Sequence, residues 1–253
     1  MSRLFSANMM RLKKSKIFWL EEIFMAGYAL FVYISAHSNM VSSGAIEDWN
    51  WNIYFFNVLL LLGFIVALFV SGFFDAEYSD GVIRNKLMVG YKRRDIYLVN
   101  FGTCLLAGLI TCATYYLFAL LFGCLIIGRE SLQIQSLGAG VLCSILILVV
   151  YAAVFMFVEM VDRNKARTAA VNLMTALVIL VIGMIGYGEV VSSPDAVEIQ
   201  WRIVEFMFPS VLTFHVASGL EEAPYLSIVI GLVAETVCLV GFGMWEFEGK
   251  DIQ

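Results

Sequence analysis

The chain has 253 residues, 61% of them hydrophobic and only 15% charged, against about 25% charged in a typical soluble domain. With a mean hydropathy of +0.85, its long apolar runs could not all be hidden inside a soluble core, which excludes a soluble globular protein and implies an integral membrane one. The net charge of −5 says little about partners, since in a membrane chain the placement of charge matters more than its sum.

The chain reads as one membrane domain over residues 1–253. Residues 1–16 come first. Leu4, Phe5, Met9 and Leu12 recur at helical spacing, while Arg3, Arg11, Lys13 and Lys14 fill much of the rest. This predicts a basic amphipathic helix lying in the inner headgroup region.

Six continuous apolar runs follow: Ile17–Ala36, Tyr54–Phe74, Phe101–Ile127, Leu137–Val158, Ala169–Tyr187 and Tyr225–Trp245. Each approaches or exceeds the ~20 residues that cross a ~30 Å hydrocarbon layer. Unbroken runs without apolar–polar alternation predict helices rather than barrel strands. The third is long enough to tilt or to protrude.

The first run carries Glu21 and Glu22 near its start, within reach of the inner interface or of a basic neighbour, and has no A-x-A site at its outer end. It reads as a permanent span rather than a cleaved signal. The loop after it holds Glu47 and Asp48 but no Lys or Arg, and Trp49, Trp51 and Tyr54 mark re-entry, as interfacial aromatics do. In the second run Gly63, Ala67 and Ser71 stand four residues apart. Three small residues on one face allow close helix approach, either within the chain or at a subunit interface.

Between the second and third runs, residues 75–96 form a compact cytoplasmic insert. Asp75 to Asp95 alone holds five basic and four acidic residues. Ser79 or Asp80 can cap a helix N-terminus and Gly90 can stop it. Val82, Ile83 and Leu87 would give that helix an apolar edge, with Arg84 and Lys86 polar. So short a helix is marginal alone and makes sense docked on a partner, apolar edge inward. Lys92, Arg93 and Arg94 then anchor the return at anionic headgroups.

The five cysteines, Cys104, Cys112, Cys124, Cys143 and Cys238, all fall inside apolar runs without a C-x-x-C pair or metal spacing and read as small packing residues. Residues 188–224 form the last outer region. Within it Ile203–Leu220 is apolar but interrupted by Glu205, Pro209 and His215. This fits a re-entrant or interfacial helical pair better than a seventh span. Glu235 lies near the middle of the last run, where an ionised carboxylate must face protein or water or take a proton. It reads equally as a pathway contact and as a packed, neutral carboxyl.

Orientation follows from the basic residues. Fourteen of the 16 Lys and Arg fall on one side, and only Arg129 and Arg202 on the other. The bias places both termini in the cytoplasm. No Walker A, H-E-x-x-H or G-x-S-x-G sequence occurs, and His37 and His215 have no metal-ligand or triad context. Neither a resident cofactor nor a metal site is expected. Nucleic-acid binding is not implied either, because topology already requires the basic clusters.

The run Glu77-Tyr78, Asp80-Gly81-Val82-Ile83-Arg84-Asn85-Lys86, Gly90-Tyr91, Arg94 and Ile96-Tyr97 resembles the cytoplasmic signature of type-2 ABC exporter permeases. The overall layout, from N-terminal helix to membrane-dipping segment, is similar as well. The resemblance implies an all-α permease that pairs with a second copy or a related permease in a bacterial cytoplasmic membrane. Separate cytoplasmic ATPase subunits would bind ATP and Mg. Asp80–Val89 would be the coupling helix, with Glu77, Asp80, Gly81, Val82, Ile83, Arg84, Lys86, Leu87 and Gly90 as its coupling residues. Many permeases of this length serve peptide export or bacteriocin immunity, and Phe55, Phe56, Phe64, Phe69, Tyr115 and Tyr116 would together suit a hydrophobic or amphipathic cargo, although each taken singly reads as an ordinary lipid-facing or packing residue. Two other readings stand beside it. One is an ion- or proton-coupled carrier using Glu235; the other is a membrane scaffold or sensor whose insert recruits a partner.

Overall fold

The computed structural model describes residues 2–43, 51–79, 81–128, 134–161, 165–192 and 225–249. All secondary structure among them is helical: α1 (Ser2–Lys14), α2 (Lys16–Ser43), α3 (Trp51–Phe55), α4 (Val58–Ser79), α5 (Val82–Met88), α6 (Arg93–Ile126), α7 (Ile134–Val161), α8 (Lys165–Ser192) and α9 (Tyr225–Gly249). Six helices are long and apolar enough to cross a membrane, from α2, α4, α6, α7, α8 and α9. They coincide with the six apolar runs. The fold is therefore an all-α, multi-pass membrane protein. Most of 188–224, including Ile203–Leu220, lies outside the described residues.

Hydrophobicity alone placed the spans but not their lengths. The first outgrows its apolar run to reach Ser43, because a helix continues until something stops it rather than where hydropathy falls. The third begins at Arg93 and runs 34 residues, about 51 Å at ~1.5 Å per residue. That is far more than one hydrocarbon layer, so one end projects into the charged zone. There it forms a post against which α1 and α5 pack.

The second span is broken near its N-terminal end. Phe56 and Asn57 form a turn between α3 and α4, and Tyr28 of α2 donates its hydroxyl to Asn57 Oδ1. Around this break the aromatics close together. Phe55 stacks on Tyr116 with centroids 4.8 Å apart, and Tyr116 donates to Ser144 Oγ at 2.7 Å. Phe55, Phe56, Phe69, Tyr115 and Tyr116 are buried and Phe64 packs against the same core. Ordinary packing is what the structure shows for this set: the rings fill the space between the chain's own helices.

The stripe of small residues on α4 is used within the chain. A side chain on Gly63 would meet the Tyr151 ring of α7 at 3.2 Å. Ala67 is fully buried, and Ser71 Oγ accepts a 2.9 Å hydrogen bond from Asn172 of α8. One face of the second span thus holds the fourth near its middle, at Gly63, and the fifth toward its C-terminal end, at Ser71.

Candidate functional site

The short helix α5 is set by its backbone before its side chains. Position 81 must be left-handed, with φ 65°, and position 90 likewise, with φ 95°; glycine takes both at little steric cost. Gly81 sits at the N-cap; the Ser79 side chain, one of the two expected caps, lies outside what the structure describes. Asp80 itself lies outside the described residues. At the other end Gly90 N–H donates to the Leu87 carbonyl at 2.9 Å and Tyr91 N–H to the Lys86 carbonyl at 3.2 Å, a glycine stop that satisfies terminal carbonyls.

The apolar edge of α5 points the other way from expectation. Ile83 is 1% exposed within the chain's own core, and Leu87 packs against that core. A helix of seven residues cannot hold itself in water, so its apolar side closes onto α4 and α6. What it shows outward is different: Arg84 and Asn85 are exposed, and Met88 and Val89 stand out at 72% and 76% exposure. Two adjacent bare apolar side chains at the tip of a charged loop form a small knob.

Behind the knob lies a polar cluster centred on Glu77, the last acidic residue of α4 and 0% exposed. Lys86 of α5 donates to its Oε1 at 2.7 Å and Arg11 of α1 to the same oxygen at 2.8 Å. Asn100 of α6 donates to its Oε2 at 2.8 Å. Asn8 of α1 completes the ring, donating to Asn100 Oδ1 at 2.8 Å and to Thr103 Oγ1 at 3.2 Å, and accepting from Lys86 Nζ at 3.3 Å. Arg11 also donates to the Phe73 carbonyl at 2.5 Å and lies 4.6 Å above the Phe73 ring. A buried carboxylate of this kind persists only when paired and hydrogen-bonded. Here every partner comes from a different element, so one side chain clamps α1, α4, α5 and α6 together.

Of the residues singled out from sequence, Glu77, Ile83, Lys86 and Leu87 are thus inward and structural. Val82 is half-buried beside them and Arg84 is exposed. Three cluster members were not anticipated: Asn8, Asn100 and Thr103. Asn8 carried a usable signal, since it stands midway between Leu4 and Leu12 on the buried face of α1. A polar residue inside an apolar stripe needs a partner.

A second buried polar group joins α4, α7 and α8, where Asn172 contacts both Ser71 Oγ at 2.9 Å and Glu159 Oε2 at 3.4 Å. Glu22 is buried on a packed face. Among the described residues it pairs with no basic side chain; its carboxylate accepts from the hydroxyls of Thr111, at 2.8 Å, and Thr114 on α6. Glu235 is half-buried, and its Oε2 has no hydrogen-bond partner among the described residues. No cluster of His, Cys, Asp or Glu able to hold a metal occurs among those residues.

At the far end of the chain, Arg93 donates to the carbonyls of Phe247 and Glu248 at 3.1 and 3.3 Å, and Arg94 pairs with the Glu248 carboxylate. The last span is thereby fastened to the start of the third, beside the loop that carries α5. A profile of the family described as ABC-2 family transporter protein matches residues 4–183, which takes in the whole Glu77 cluster and the knob. The comparison with curated proteins gave no match.

Proposed function

Because the chain belongs to the ABC-2 family of transporter proteins, and is thus a transmembrane subunit of an ABC transporter, we propose that separate cytoplasmic ATPase subunits drive it as an exporter. ATP and Mg would be held by those partners. A second permease, identical or related, would complete the transport route. The membrane is the bacterial cytoplasmic membrane, with both termini inside, as the placement of 14 of the 16 basic residues supports. The cargo is hydrophobic or amphipathic, a peptide being one such molecule. Lipid surrounds the spans.

The observation that carries this reading is the Glu77 cluster. Closure of the ATPase subunits pushes on the exposed knob of Arg84, Asn85, Met88 and Val89. That push cannot be absorbed by α5 alone, because Ile83 and Leu87 seat it on the bundle and Lys86 ties it to Glu77. The displacement therefore passes to the second span through Glu77, to the N-terminal helix through Arg11, and to the third span through Asn100. The second span in turn holds the fifth through Ser71 and Asn172. A rigid transmission of this kind supports a permease whose second and fifth spans shift against the other subunit.

The test is co-reconstitution of the permease with its ATPase in liposomes. Met88→Asp with Val89→Asp should leave insertion intact and abolish coupled ATP hydrolysis and export. Unchanged hydrolysis and export would overturn the docking role. A carrier built on Glu235 is favoured by one observation, the unpartnered Oε2. It requires Glu235→Gln to stop transport that needs no nucleotide. A scaffold or sensor would bind its partner through the same knob without stimulating ATP hydrolysis.

A further inference from the structure

Away from the coupling site, a groove of about 640 Å³ opens between α2 and α6, beside the junction of α1 and α2. Its walls are almost wholly apolar, formed by Phe18, Ile23, Ala26, Ile110 and Phe118, with Lys13 at one end. Glu22 and Thr114 also line it, but the Glu22 carboxylate is engaged by the Thr111 and Thr114 hydroxyls. The one acidic group at the floor is thus held against α6 rather than offered to an occupant.

The level of the groove is marked by Trp19, whose indole N–H donates to the Lys13 carbonyl at 2.9 Å. Trp with its N–H engaged and its ring exposed is typical of the membrane–water boundary. Along α6 the groove runs from Ile110 to Phe118, a rise of about 12 Å at ~1.5 Å per residue. One leaflet of a ~30 Å hydrocarbon layer is about 15 Å deep. The groove therefore has about the depth of a leaflet, an apolar body and a cationic mouth at Lys13.

We propose that this groove holds one anionic phospholipid of the cytoplasmic leaflet, an acyl chain lying along Ile23, Ala26 and Phe118 and the phosphate on Lys13. A peptide segment fits poorly, because the walls offer almost no partners for backbone N–H and C=O groups at membrane depth. A lipid chain has none to satisfy. Lysine suits the mouth because its methylene stem follows the apolar wall while the ammonium reaches the headgroups. The site stands apart from the ATPase coupling and does not depend on it.

The test is native mass spectrometry of the full chain, released in mild detergent from vesicles of phosphatidylcholine mixed with phosphatidylglycerol. A retained phosphatidylglycerol is expected, with occupancy about fivefold lower in Lys13→Gln, since a basic residue near the surface contributes of this order. Ala26→Trp fills the groove without altering charge and should remove the adduct. Should that variant fail to fold, Lys13→Gln, at an exposed surface position, still decides the matter. Equal retention of the two lipids, or adducts unchanged by Lys13→Gln, would overturn the proposal. So would an Ala26→Cys cross-link between two chains, which would make the groove an interface between copies.

Discussion

Glu77 and Lys86, on opposite sides of the turn between α4 and α5, meet at 2.7 Å with Glu77 fully buried. The loop that presents the knob is therefore not hung loosely from the bundle but locked to it by charge. Arg11 shares the same carboxylate oxygen, so two cations depend on one anion.

Glu77→Gln should for that reason be strongly destabilising. It keeps the size and a hydrogen bond to Asn100 but leaves Lys86 and Arg11 without their counter-charge. Breaking a buried pair by removing one partner costs about 3–5 kcal/mol, and the lower end applies because Arg11 can partly rehydrate. The expected result is a clear fall in melting temperature in detergent, with Glu77→Asp retaining part of the stability. A Glu77→Gln protein as stable as the native chain would show that the cluster does not hold the elements together.

The two faces of α5 should respond differently. Ile83→Asp buries a charge in the core and should lower the yield of folded protein before any partner is added. Met88→Asp and Val89→Asp change exposed positions and should leave melting unaltered while lowering partner-stimulated ATP hydrolysis. Folding assays and ATPase rates on the same preparations separate the effects. Equal melting behaviour of the two classes would contradict the inward seat of Ile83.

Gly63→Leu should be destabilising by about 1–3 kcal/mol, the usual cost of overpacking, because its side chain would run into the Tyr151 ring. Gly63→Ala needs a shift of only a few tenths of an ångström and should cost less. The readout is thermal unfolding, and a tolerated leucine would show that the second and fourth spans are free to separate there.

Ser71→Ala should cost about 0.6 kcal/mol, the usual size of a hydrogen bond between membrane helices. Asn172→Leu should cost more, because it also removes the contact to Glu159. A double-mutant cycle of the two measures their coupling, and a coupling near zero would remove this link between the second and fifth spans.

The spans were legible because hydrocarbon thickness imposes a length on apolar runs, which any sequence crossing it must show. The insert was legible because its charges interrupt those runs and its glycines punctuate a helix. The direction of α5 was not. Val82, Ile83 and Leu87 make an apolar edge whether they face a partner or the chain itself, and only the position of α6 decides between the two. Arg11 was legible as a topological charge but not as a ligand of Glu77, which lies 66 residues away. Likewise the packing of Phe55 on Tyr116 was open from sequence as an ordinary use of such rings, but not which partner each would find beside the turn at Phe56 and Asn57.

The most direct test of the central claim is cross-linking at the knob. Met88→Cys or Val89→Cys, in membranes of the native host, should form a stoichiometric cross-link to a chain carrying G-x-x-x-x-G-K-[ST], identified by mass spectrometry, with a control cysteine at exposed Met10 forming none. Cross-links to no nucleotide-binding chain, in membranes where export still proceeds, would contradict the account and return Glu235 to the centre of the problem.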